Sequence, residues 1–334
     1  MSSRVPVLAA VTLALACTLP AQTTGAVRAL PQPLTGAFAR WNLYVDPLDM
    51  PATVQTWVRG DAVPAGLKVS ELGLRQASAN PSGPITATLE LVLDRTSLGF
   101  GNLSATPAKN LSTNATKLFS GQLSWPTVGK SSDPDLPSLW IKLTQPWVQL
   151  PGNLIVQFTL SSPNTAAQRL YADGLDMAGT RHVHYSSGRS CGATLGAGYD
   201  GSNYVWTVTG APANAAMAWL LGADKTSLAG IPLPLPLDGL GLKGCELGVA
   251  PLATIGAVTD ASGSLTVKAP FTLPADTMAL STQVVHVDGK GGLQTTNVMT
   301  SLLGDAGLLN MVYAGRFYAL GPFKTNYGPV LLAR

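Results

Sequence analysis

Charge is scarce in this chain: only 12% of its 334 residues are Asp, Glu, Lys or Arg, and they leave a formal charge of +3. The 21 basic residues form no cluster or stripe, which argues against nucleic acid as a partner. Past the N-terminal region, no apolar run is long enough to cross a membrane. The chain has three cysteines and three histidines, too few for a dense disulfide framework or a Cys/His metal module. A sustained helical period is also missing. What remains is rich in Val, Thr and Leu and punctuated by 35 glycines and 25 prolines, a balance that suits short strands joined by many turns.

The N-terminus reads as an export signal, Met1 to Ala21. Arg4 supplies the positive region, Val7 to Ala16 the apolar one, and Leu19-Pro20-Ala21 a small-residue cleavage site before Gln22. A second reading takes Leu15-Ala16-Cys17 as the end of a lipobox, with a lipid on Cys17. Cleavage after Ala21 instead removes Cys17 and releases a secreted, periplasmic or cell-surface protein with no transmembrane segment. It also leaves one even pair of cysteines in an oxidising setting. Cys191 and Cys245, each beside a glycine, are then expected to form a disulfide.

Beyond the signal, apolar residues alternate. Thr86 to Asp94 sets Ala87, Leu89, Leu91 and Leu93 on one face. Ser138 to Thr144 and Asn153 to Leu160 read the same way. The pattern returns in Tyr204 to Val208, Ala216 to Leu221, Ser264 to Ala269 and Gln283 to Val287, with turn signals between, such as Asn80-Pro81-Ser82-Gly83 and Asp260-Ala261-Ser262-Gly263. The fold expected is all-β: two antiparallel β-sandwich domains of jelly-roll or Ig-like type. The polar, glycine-rich stretch Ser186 to Gly201 suggests a boundary, giving an N-terminal sandwich over 22–188 and a C-terminal one over 189–334.

The second of these resembles a C-terminal module of secreted proteins from planctomycete-type bacteria. The shared elements are Cys191-Gly192, Leu221-Gly222, the Leu-Pro run Leu233 to Leu237, Gly244-Cys245-Glu246-Leu247 and the strand holding Gln283. The first is similar to the sandwich that often precedes that module, through Asn102 to Lys117, Leu118 to Gly121, Pro146-Trp147 and Pro151 to Leu154. The resemblance implies structural motifs and no established activity. Against that family, the final strand is weak and the tail from Tyr313 to Arg334 is long.

Several patterns admit a chemical reading. Gly188-Arg189-Ser190-Cys191-Gly192 fits the nucleophile elbow G-x-S-x-G, and Ser190, Asp260 and His286 would make up a triad. The elbow, however, needs a helix after the serine, where this chain continues in glycines. His182 and His184 fall on one strand face downstream of Asp173 and Asp176, a partial zinc or copper set. Asp133-Pro134-Asp135 reads as a turn or as part of a calcium loop. Asn102, Asn110 and Asn114 each open an N-x-S/T sequon and mark a polar surface loop. Of the tryptophans, Trp41, Trp57, Trp125, Trp140 and Trp147 fall in the first half, and Trp206 and Trp219 in the second. Trp140 projects away from the Leu139/Ile141/Leu143 row, and Trp140 and Trp147 are the candidate ligand contacts, since an exposed indole stacks on a sugar ring.

The residues assemble no catalytic set, metal or cofactor site. The expectation is an exported, non-enzymatic structural or adhesive module, with polysaccharide or envelope components as partners. The alternatives are a pair of carbohydrate-binding modules using exposed tryptophans and a serine hydrolase at Ser190.

Overall fold

The computed structural model describes residues 27–34, 39, 41–63, 66–77, 80, 83–130, 137–164, 169–177, 180–225, 227–304, 307–316, 319–321 and 326–334. The expected signal, Cys17 and the Asp133-Pro134-Asp135 turn lie outside these residues. The protein is all-β. Among the described residues the strands pair antiparallel and the helical elements are single 3-10 turns. Among the described residues no helix is long and apolar enough to cross a membrane.

Three sheets surround the first core. One runs, in spatial order, through Arg28–Leu30, Leu331–Ala333, Lys68–Arg75 and Pro137–Val148. A second runs through Ala319–Leu320, Leu309–Ala314, Ala52–Val58, Asn153–Ser161, Ile85–Thr96 and Thr116–Trp125. The third joins Trp41–Val45, Leu170–Asp176 and Tyr327–Pro329. Period-2 alternation explains the packing: Ala87, Leu89, Leu91 and Leu93 are fully buried together with Leu154, Val156, Phe158 and Leu160. Ile155, pointing the other way, is also buried. A satellite cluster of Trp57, Leu103, Ile155 and Val312 covers that face, with Leu98, Phe100 and Leu111 packed on it.

The second core lies between two further sheets. The larger is ordered His182–Ser187, Val298–Leu303, Met278–Val287, Ala216–Gly222 and Ala253–Val258, with Leu293–Thr295 pairing beside Met278–Val287. The smaller is Thr194–Tyr199, Asn203–Thr209 and Leu265–Pro270. Tyr204, Trp206, Val208, Met217, Trp219, Val284, Met299 and Leu303 fill the space between them.

The strand pairing does not change at Gly188. His182–Ser187 already pairs with Val298–Leu303, and Leu309–Ala314 returns to pair with Ala52–Val58. The tail that is long beside the planctomycete-type pattern is a closing element: Leu331, Leu332 and Ala333 are wholly buried between Arg28–Leu30 and Lys68–Arg75. The second set of sheets is thus inserted between two strands of the first, an arrangement that a single cut at 188/189 cannot describe. Tyr185 and Leu302 belong to the first core although their strands pair within the larger sheet of the second. That sheet therefore touches both cores.

Cys191 and Cys245 stand at disulfide distance, with Cα atoms 5.0 Å apart. Beside Cys191, Gly192 packs against the Gln294 side chain and His286 Nε2, both of which a Cβ there would meet. Gly244 serves differently: its φ is +73°, and open space surrounds it.

Candidate functional site

Ser190 sits in a turn and lacks the elbow context. Strand His182–Ser187 precedes it and strand Thr194–Tyr199 follows, where the hydrolase elbow requires a helix. Its hydroxyl donates to the Ala193 carbonyl, while His286 Nε2 accepts the Ala193 backbone N–H at 3.2 Å. The serine and the imidazole thus both hold the turn, each through Ala193. Asp260 is occupied elsewhere, accepting from the Ser262 backbone and hydroxyl and from the Ser264 N–H. The structure does not bring the three together as a triad.

The partial metal set is likewise divided. Asp173 is fully buried and accepts from Arg75 Nε at 2.9 Å and from the Ala39 N–H at 2.7 Å. His182 and His184 stack at 5.4 Å between ring centroids. His184 Nδ1 meets the Ser301 hydroxyl at 2.7 Å, and the Tyr204 hydroxyl meets the same oxygen. Burial, and then the neighbouring His182, push the His184 imidazole down to about 4. Burial pushes the Tyr204 phenol up to about 12. His184, bonded to Ser301 and packed on Tyr204, and His182, packed on His184 and Tyr199, form a polar cluster, and no group of three His, Cys, Asp or Glu is placed to hold a metal among the described residues.

Of the sequons, Asn110 departs from the surface reading. It is 3% exposed; its amide donates to Gln55 Oε1 and the Ser104 carbonyl, and its Oδ1 accepts the Ser104 N–H. It is a structural bracket for the loop over Trp57, and glycan attachment there would require that loop to open.

The tryptophans separate clearly. Trp57, Trp125, Trp206 and Trp219 are core residues. Trp57 donates to the Leu98 carbonyl and Trp206 to the Thr282 hydroxyl. Trp140 is half-buried, and one face of its indole is covered by the Arg334 guanidinium, 4.4 Å from the ring centroid, which also pairs with Glu71. A cation over the ring occupies the surface that a sugar would use. One face of Trp140, a candidate ligand contact by sequence, is thus packed against Arg334.

Trp147 is different. It is half-buried near the end of strand Pro137–Val148 and lines a cleft of about 450 Å³ with Asp94, Arg95, Thr96, Ser97, Asn114, Thr116, Pro151 and Gly152. Both walls are fixed by buried polar groups. Asp94, 1% exposed, accepts the Ser112 N–H at 2.6 Å and its hydroxyl at 2.8 Å, setting the loop that carries Asn114. Gln149, 2% exposed, donates to the carbonyls of Leu150 and Gly152, fixing the turn through Pro151. Arg95, Ser97 and Asn114 are exposed, and the Trp147 indole N–H is buried without an acceptor. The arrangement offers one apolar ring among an amide, hydroxyls and a guanidinium, groups that hydrogen-bond a polyhydroxylated ligand. Pro146-Trp147 was legible in the sequence; Asn114 and Arg95 were not, because only the pairing of distant strands brings them to it.

Compared with known protein families and curated proteins, the chain matches no family model and no curated sequence.

Proposed function

We propose that the chain is an exported, non-enzymatic β-sandwich protein of structural or adhesive type, and that it holds a saccharide of the envelope or its surroundings in the Trp147 cleft. The observation that carries the ligand class is the half-buried Trp147 ring among Arg95, Asn114 and Thr116 in a cleft with fixed walls. An indole contributes apolar contact to the face of a pyranose, and the polar rim orients its hydroxyls. Export rests on the N-terminal signal pattern and accords with the Cys191–Cys245 pair. The resemblance to secreted proteins of planctomycete-type bacteria accords with the same reading. The hydrolase alternative at Ser190 draws no support from a hydroxyl and an imidazole that both serve the Ala193 turn.

The test is binding of the mature chain to a panel of soluble and insoluble polysaccharides, read by depletion and by quenching of tryptophan fluorescence. The proposal expects retention on at least one polymer and loss of that retention in Trp147→Ala. Binding that survives this substitution in a folded variant would place the contact elsewhere, and no retention on any polymer would remove the saccharide reading.

A further inference from the structure

The strand Ala253–Val258 closes one end of the larger sheet of the second core, and its far side is uncovered among the described residues. Proteins ordinarily blunt such an edge with lysine, proline, a bulge or a covering loop. This strand reads ATIGAV, pairs with Ala216–Gly222 in an unbroken register, and has no charge or proline. The nearest charged residues in sequence are Glu246 and Asp260. Exposed large apolar side chains gather here: Leu252 is 82% exposed, Val258 56% and Ile255 51%; three strands across the same sheet, Leu293 is 48% exposed.

The outer face next to the edge is apolar as well. Register places Gly256 beside Ala218 and Val258 beside Ala216, with Val285 beside Ala218 on the next strand. These small residues floor a depression of about 490 Å³ rimmed by Val258, Val287 and Leu293. The row of backbone groups along the edge and the apolar face beside it are continuous.

We propose that this edge pairs antiparallel with the same edge of a second copy of the chain, joining two five-strand paths into one sheet across a two-fold axis. A strand meeting itself antiparallel is self-complementary, so each residue contact occurs twice. The lack of charge from Leu247 to Thr259 favours a second copy, because a charged edge would repel itself. A partner selected by charge would find nothing here to read. This interface is separate from the Trp147 cleft and stands or falls independently of it.

Gly256 provides the test. A Cβ built there meets nothing within 4 Å, so a longer side chain is tolerated in the single chain. With either Ile255 or Gly256 on the two-fold, position 256 faces itself directly or on the diagonal, within reach of long side chains. The experiment is sedimentation velocity and native mass spectrometry of the mature chain. Wild type is expected to show a concentration-dependent dimer. Gly256→Lys and Gly256→Glu should each weaken it by about fivefold or more, and an equimolar mixture of the two should restore a 1:1 heterodimer. Val258→Lys, at a 56% exposed site, gives a second charged edge should either glycine variant misfold. A wild type that stays monomeric at all concentrations overturns the proposal. So do folded charged variants that dimerise as wild type does, or a mixture that fails to recover pairing. Association with a different protein, while the purified chain remains monomeric, would assign the edge to a heterologous partner and also overturn it.

Discussion

Arg75 and Asp173, 98 residues apart, form an ion pair in the first core with side chains 0% and 1% exposed. Arg75 Nη1 also donates to the Leu34 carbonyl, and Asp173 also accepts from Ala39. The pair thus ties three chain segments together. A buried charge that loses its partner is far more costly than an intact pair is stabilising. Asp173→Asn is expected to lose about 3–5 kcal/mol in chemical denaturation, and Arg75→Met in the same background to recover part of that loss. Additive losses in the double variant would show that the two charges do not depend on each other.

The Cys191–Cys245 pair closes a separation of 54 residues. Loop-entropy arguments give a stabilisation of about 4 kcal/mol for such a closure, before any native strain. Reduction, or Cys191→Ala with Cys245→Ala, should lower the melting temperature of the second set of sheets more than that of the first. Non-reducing peptide mapping should recover one linked peptide pair. Two free thiols in freshly exported protein would contradict the pairing.

The all-β fold was legible because alternation is local. Thr86 to Asp94 and Asn153 to Leu160 carry their strand assignment in their own residues, and both lie within strands. The topology was not, since nothing in Leu309–Ala314 or Leu331–Ala333 names a partner more than 250 residues upstream. Those strands are buried on both faces and so read as plain apolar runs. The site was half legible for the same reason. Trp147 is conspicuous by type, but its cleft is completed by Arg95 on strand Ile85–Thr96 and by Asn114 in the turn before strand Thr116–Trp125. Trp140 is equivalent by residue type, but Arg334 lies over its ring.

That contrast yields a paired prediction. Trp147→Ala should abolish polysaccharide retention while changing stability modestly, because the ring is only half-buried. Trp140→Ala should leave retention intact and cost stability through the lost Arg334 contact, worth about 0.5–1 kcal/mol at an exposed site, together with lost packing. Pull-down and thermal denaturation of both variants decide it, and loss of retention in Trp140→Ala alone would reverse the assignment.

Ser190→Ala should be catalytically silent. The hydroxyl donates to the Ala193 carbonyl in a partly exposed turn, so its removal is expected to cost about 1 kcal/mol or less. Labelling with a serine-reactive probe should leave wild type and variant equally unmodified. Stoichiometric modification of Ser190 in wild type would restore the hydrolase reading.

Acid should loosen the second core before the exposed carboxylates respond. The His184 imidazole has its pKa held at about 4, first by burial and then by His182, against 6.5 when free. The unfolded chain therefore takes up this proton earlier than the folded one, and stability falls as protons become available. Its contribution is complete above about pH 6.5, declines between 6.5 and 4, and is flat below. Asp200, Asp260 and Asp288 act in a lower window. Backbone N–H groups of Asn203 and Lys290 lead in depressing Asp200 and Asp288, and the Ser262 hydroxyl leads for Asp260. Their share of stability is present above the ordinary carboxylate value of 3.8 and is lost as pH falls further. Denaturant midpoints measured from pH 7.5 to 4.5 should therefore decline in wild type and flatten in His184→Gln, whose amide does not titrate. A slope through that range unchanged by the substitution would assign the acid sensitivity to another group.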